Sequence, residues 1–230
     1  MKLELQKIAK SFSDGENQLN VLNGIDLSIN NGDIITIKGP SGSGKSTLLN
    51  IIGTIDFADS GSIFFDNIKL NNSNNFEKFR NENLGFVFQF HHLIPELSVE
   101  ENVKLPFLIS GENVDEKYID DLFVFFDLNK KRNSFPNYLS GGEKQRVAIM
   151  RSFVKKPSLI LADEPTGSLD EKQVINTIEL FKKMNSQYKQ TLVIATHDNR
   201  VFDIGTKKFL LSNGVLSNIW HIVIKMYFMT

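Results

Sequence analysis

The 230-residue chain is 41% hydrophobic and 23% charged, with 26 Lys and Arg against 27 Asp and Glu, which excludes disorder and collagen-like repeats and suits one large domain or one domain with an insertion. Its net charge of −1 supplies no global attraction to a polyanion, so nothing in the balance favours a nucleic-acid partner. The absence of cysteine rules out disulfides and thiolate catalysis and fits a reducing cytosol.

Met1–Lys10 alternates polar and apolar residues and lacks the apolar core of a secretory signal, so the chain is expected to stay where it is made. Leu3, Leu5 and Ile8, then Val21, Leu22, Ile25, Leu27 and Ile29, follow the period of two of half-buried strands. The Ser13-Asp14-Gly15 turn between them predicts an antiparallel sheet. Asn31-Gly32-Asp33 is a further turn, and Ile34-Ile35-Thr36-Ile37 is a β-branched run suited to a buried strand that ends at Gly39. From Ser46 to about Gly53, Leu48, Leu49, Ile51 and Ile52 predict a buried helix. Ile63-Phe64-Phe65 and Ile68 read as edge strands, and Asn71–Asn75 as a solvated loop.

Between Phe90 and Lys156 the pattern turns helical, at Asp115–Phe126 and Glu143–Val154. Strand patterns return at Ser158–Ala162 and Thr191–Ala195 around a helix from about Lys172 to Tyr188, which predicts a mostly parallel sheet with helices on its faces. The expected organisation is a single α/β domain over residues 1–230: core and β subdomain about 1–89 and 157–216, a helical insertion about 90–156 and an apolar tail 217–230. Within that tail Ile219–Met229 contains His221 and Lys225 and falls short of the ~20 residues a membrane span needs, so it reads as a last strand or helix on the core, with an interfacial membrane contact as the alternative.

Gly39-Pro40-Ser41-Gly42-Ser43-Gly44-Lys45-Ser46, followed by Thr47, matches the phosphate-cradling loop G-x-x-x-x-G-K-[ST] between a predicted strand and a predicted helix. Glycines let successive backbone N–H groups point inward, and the helix adds its positive end. Lys45 is placed for β- and γ-phosphates and Ser46 for Mg²⁺. The apolar strand Leu159–Ala162 ends in Asp163-Glu164, at the sheet edge where α/β folds bind ligands. Asp163 suits Mg²⁺ through its water shell, and Glu164 suits polarising an attacking water. Leu139-Ser140-Gly141-Gly142-Glu143 opens a predicted helix and reads as a second anion-binding start, with Ser140 and backbone N–H groups as donors.

With these motifs the chain resembles the ABC ATPase family from Leu3 to about Val215, departing from its LSGGQ signature by Glu143 in place of Gln. The resemblance implies a P-loop fold with a mostly parallel core sheet, an N-terminal antiparallel β subdomain and an inserted helical subdomain. It implies two copies, head to tail around two Mg·ATP, the signature of each covering the nucleotide of the other. Gln89 corresponds to the glutamine that touches Mg²⁺ and water and links to the transporter, Ser168-Leu169-Asp170 to the turn at the dimer seam, and His197 to the switch histidine at the γ-phosphate. Phe12 stands where the family stacks an aromatic on adenine, with a core Phe as the rival reading; His197 taken by itself also suits a structural role.

Gly85–Pro95, Glu100-Glu101-Asn102-Val103 and Asp163–Asp170 resemble the branch paired with lipoprotein-releasing and macrolide- or peptide-exporting permeases, and Phe90-His91-His92 tilts towards lipoprotein release. That implies an ATPase on the cytoplasmic face of the membrane bound to integral permease subunits. A division-linked ABC complex and a P-loop small-molecule kinase are the alternatives, and a chromosome-handling ATPase is disfavoured because no long heptad segment is present. Zinc at His91 and His92 is disfavoured for want of a third ligand.

Overall fold

The computed structural model describes residues 1–15, 17–70 and 75–219. In chain order its elements are β1 (Lys2–Asp14), β2 (Asn17–Asn30), β3 (Ile34–Lys38), α1 (Lys45–Ile52), β4 (Ser60–Phe65), β5 (Ile68–Leu70), α2 (Phe76–Asn83), β6 (Leu84–Val87) and α3 (Val99–Ser110). There follow α4 (Glu116–Phe125), α5 (Gly141–Phe153), β7 (Leu159–Asp163), α6 (Glu171–Tyr188), β8 (Thr191–Thr196), α7 (Asn199–Phe202), β9 (Lys207–Ser212) and β10 (Val215–Asn218).

One antiparallel sheet has the order β2-β1-β4-β5. Its hairpin buries Leu3, Leu5, Ile8, Leu22, Ile25, Leu27 and Ile29, all the positions picked out by alternation except Val21, which is half-buried. The edge-strand expectation for Ile63-Phe64-Phe65 is corrected: β4 is interior, with Leu3 opposite Phe65 on one side and Ile63 opposite Leu70 on the other. Two-sided pairing is a property of the assembled sheet, which a strand's own residues do not encode.

The second sheet has the order β10-β9-β3-β8-β7-β6, parallel throughout except for β10 against β9. Both faces of its centre are covered. Ile34, Ile160, Ala162, Leu192 and Ile194 pack with the helical layer of Phe123, Val147 and Phe153, whereas Ile35, Ile37, Leu159, Leu161, Val193 and Ala195 pack with α1 and the antiparallel sheet. Burial on two faces is why these strands read as continuous apolar runs.

Six elements had no clear sequence signal, α7 and β10 among them at four residues each. α2 buries no residue, α3 carries Pro106 inside it, and β6 and β9 are short or carry lysines. Among the described residues no helix is long and apolar enough to cross a membrane. The expectations for Asn71–Asn74 and for the tail from residue 220 lie outside the described residues; Asn75 caps α2, its side chain accepting from Lys78 N–H at 2.9 Å. Because β3, β7 and β8 are parallel neighbours, the residues after them emerge at one sheet edge.

Candidate nucleotide site

The loop between β3 and α1 depends on backbone geometry closed to other residues. A Cβ on Gly39 would stand 2.2 Å from the Leu211 carbonyl, and Gly44, at the helix entrance, has φ 96°. The loop borders a cavity of about 740 Å³, within the usual range for small-molecule sites, lined by Phe12, Val21, residues 39–47, Gln89, Glu164 and His197. Phe12 is 44% exposed on β1, which decides against the core reading. Val21 is a lining residue the sequence did not distinguish from its strand neighbours.

Lys45 is buried, and its Nζ donates to the carbonyls of Gly39 at 2.9 Å and Pro40 at 3.1 Å. It also lies 3.9 Å from Glu164 Oε1. Glu164 is held with φ 45°, a left-handed value that costs a non-glycine residue energy and that clusters at working sites. Its N–H donates to the Ala195 carbonyl at 2.9 Å, which fixes the backbone against β8. Its Oε2 accepts from the His197 N–H at 3.2 Å and sits 2.8 Å from His197 Nδ1. One carboxylate therefore meets His197 with one oxygen and faces Lys45 with the other.

Asp163 ends β7 with Oδ1 buried and without a hydrogen-bond partner. A buried carboxylate oxygen left so is costly unless a cation or water meets it, which fits a Mg²⁺ ion held between Asp163, Ser46 and Gln89. Gln89 lies beside the turn after Glu164: a Cβ on Gly167 would fall 3.0 Å from Gln89 Nε2, and Ser168 Oγ is 3.5 Å from the Gln89 carbonyl.

Leu139–Glu143 does not border this cavity. Ser140 caps α5 in a reciprocal box: its Oγ accepts from Glu143 N–H at 3.3 Å, and its N–H donates to Glu143 Oε2 at 2.8 Å. Within one chain the Ser140 backbone N–H is taken by Glu143, whose carboxyl the Ser140 side chain also meets. Burial alone would raise the Glu143 pKa; the Ser140 N–H and Lys131, 3.2 Å away, outweigh it and hold the carboxyl below its ordinary value. The Gly141-Gly142 face lies against the start of α6, where added Cβ atoms would be 3.7 Å from Leu169 and 2.9 Å from Gln173. Ser168-Leu169-Asp170 thus runs between Gln89 and the signature, with Asp170 capping α6.

His91 and His92 part company. His92 packs edge-on against Phe88, whereas His91 is half-buried with Nε2 unpartnered and its pKa lowered by burial and by the nearby Lys144 and His92. Among the described residues no group of three or more His, Cys, Asp or Glu converges to hold a metal. A second groove, of about 570 Å³, opens between α2, β6, α3 and α5, with apolar Ile55, Leu84, Phe86, Leu105 and Ile109 and charged Glu77, Arg80, Arg151 and Lys155.

A glycine cradle after β3, an acidic pair after β7 and a histidine after β8, joined to an antiparallel sheet, define an ATP-binding, ATP-hydrolysing cassette. The chain belongs to the ABC transporter family, whose profile matches residues 22–167. It is 43% identical over 219 residues to the lipoprotein-releasing system ATP-binding protein LolD of Legionella pneumophila (strain Lens), covering 93% of this chain and 96% of that protein. To LolD of Bacteroides thetaiotaomicron it is 42% identical over 218 residues, covering 93% and 98%. Among solved structures it resembles MJ0796, a dimeric bacterial ABC transporter cassette, with TM-score 0.84 and 38% identity over 94% of this chain and 96% of that one. A post-hydrolysis dimer of MJ0796 bound to ADP and Pi gives 0.83 and 37%, covering 94% and 98%.

Proposed function

We propose that this chain powers a separate membrane permease that releases lipoproteins, working as a head-to-tail pair of copies on the cytoplasmic face of the membrane. The similarity to LolD proteins over nearly the whole chain supports the cargo class. The groove beside Phe86 and Ile109, apolar with charged residues of both signs along it, supports a permease segment docking there. Residues 1–89 and 157–216 act as nucleotide-binding core and β subdomain, and residues 90–156 as the helical insertion that meets the permease.

The observation that carries the dimer is the separation, on one chain, of the phosphate cradle from the Ser140-Gly142 helix start. Both are built to meet anions, and only a second copy brings them to one nucleotide. Phe12 stacks on adenine, residues 39–47 cradle the phosphates with Lys45 at the terminal pair, and Asp163, Ser46 and Gln89 hold Mg²⁺, which neutralises phosphate charge when bound. Glu164 orients the attacking water, and His197 fixes the Glu164 carboxylate and faces the γ-phosphate. Leu139–Glu143 covers the partner's nucleotide, with Ser168, Leu169 and Asp170 at the seam. Contacts made only with the γ-phosphate in place stabilise the closed pair, so hydrolysis reopens it and moves the permease.

Light scattering on Glu164→Gln with Mg·ATP tests this. A dimer that reverts to monomer with ADP is expected; a monomer at every ATP concentration would overturn the head-to-tail reading. Release of a radiolabelled lipoprotein from liposomes carrying the purified permease complex tests the cargo, which a drug efflux activity without lipoprotein release would refute.

A further inference from the structure

Arg151, in the last turn of α5, reaches across to the loop after Gln89. Its Nη2 donates to the His91 carbonyl at 2.9 Å, and its Nη1 lies 3.5 Å from Asn102 Oδ1. Among the described residues no carboxylate pairs with this part-buried guanidinium, whose pKa burial lowers. A buried charge that meets carbonyls in place of a carboxylate is costly, and its rigid fork suits it to fixing two acceptors at once.

Both sides of that contact are anchored. Gly85 brings β6 into backbone contact with the end of α5, since a Cβ there would be 2.2 Å from the Ser152 carbonyl. Asn102 is fully buried, accepts from Ile94 N–H at 2.9 Å and lies 3.0 Å from the carbonyls of Ile94, Leu97 and Ser98, so the loop after His91 is tied down. Phe88 and His92, ring centroids 5.2 Å apart and edge to face, close the turn that carries Gln89, with His92 at φ 46°. At its other end α5 begins with Gly141, ten residues and about 15 Å of helix away.

We propose that Arg151 is a positioning residue that fastens the Gln89 turn to the signature helix, so that a shift of α5 imposed by the partner copy's nucleotide is passed to Gln89 in this copy's own cavity. The proposal rests on the reading that Gln89 and the signature both serve hydrolysis. One unbroken helix then links the two nucleotides of the dimer: its first turn faces one, and its last turn sets the glutamine at the other.

The test is a double-mutant cycle in phosphate release by the full chain, with ATP saturating and Mg²⁺ varied. Gln89→Ala alone must lower kcat; a wild-type rate would refute the Gln89 assignment and the proposal with it. Arg151→Gln is expected to lower kcat about tenfold and to raise the Mg²⁺ concentration for half-maximal rate, as a misplaced ligand does. The double variant should be within about twofold of Gln89→Ala, because the second change removes the alignment of a group already gone. Losses that multiply, or an Arg151→Gln enzyme with wild-type kcat and Mg²⁺ dependence, would overturn it. Should Arg151→Gln not fold, Arg151→Lys carries the same cycle: it keeps the charge and one donor, so a smaller loss that again vanishes in the Gln89→Ala background is expected.

Discussion

Glu164 couples backbone strain to side-chain placement: φ 45° turns the chain sharply after β7, and the His197 N–H and ring hold the carboxylate that results. Glu164→Gln preserves the shape and the acceptor oxygen but removes the charge, so phosphate release should fall by about 10²–10⁴-fold while ATP still binds. A steady-state rate within a fewfold of wild type would remove Glu164 from the chemistry. Lys45 is a buried cation whose present partners are the Gly39 and Pro40 carbonyls and, at 3.9 Å, Glu164 Oε1. Lys45→Ala deletes a charge-assisted contact of about 1.5–3 kcal/mol, and calorimetric titration with ATP should show the Kd weakened by about 10–100-fold.

At the scale of elements, α3 stands where sequence periodicity was broken by Pro106, and it is held by its ends. Ser98 and Glu101 form a reciprocal cap, and Glu100 in the first turn accepts from Arg132 and pairs with Lys104 at 2.6 Å. The Arg132 hydrogen bond, with help from Lys104 against the cost of burial, holds the Glu100 carboxyl below its ordinary value. A depressed carboxylate pKa contributes stability that is present above the unfolded value, about 4.3, and lost as pH falls through the folded one. Glu100→Gln should therefore cost roughly 1 kcal/mol near neutral pH. In urea melts the gap to wild type should close as pH drops below about 4. A gap that is constant from pH 7 to pH 3 would show that the charge contributes nothing.

For the whole molecule, the distance between cradle and signature predicts complementation. On the proposed head-to-tail pairing, Lys45→Ala damages one half of each composite site and Gly142→Asp the other, so each variant alone should be inactive. Mixed dimers regain one site built from two undamaged halves, and mixing the purified variants should restore ATPase activity above either alone. No recovery, with subunit exchange verified by a labelled tag, would mean that each nucleotide is served by a single chain.

Sequence alone determined the parts whose identity is local. Gly39–Ser46 is legible because only glycine tolerates the backbone that wraps a phosphate, and Asp163-Glu164 because parallel strands deliver their ends to one edge, whereas His197 was singled out by the family resemblance alone. The central strands were legible because burial on both faces leaves an unbroken apolar run, whereas α2, β6 and β9 were not, having no pattern of their own to display. Tertiary structure decided what depends on partners distant in the chain: that β4 is interior, that Phe12 opens to the cavity, that Ser140 shares its cap with Glu143, and that Arg151 reaches the His91 carbonyl 60 positions earlier. Such contacts are fixed only when the sheet and helices pack, because a hydrogen bond across that span has no counterpart in local spacing or propensity.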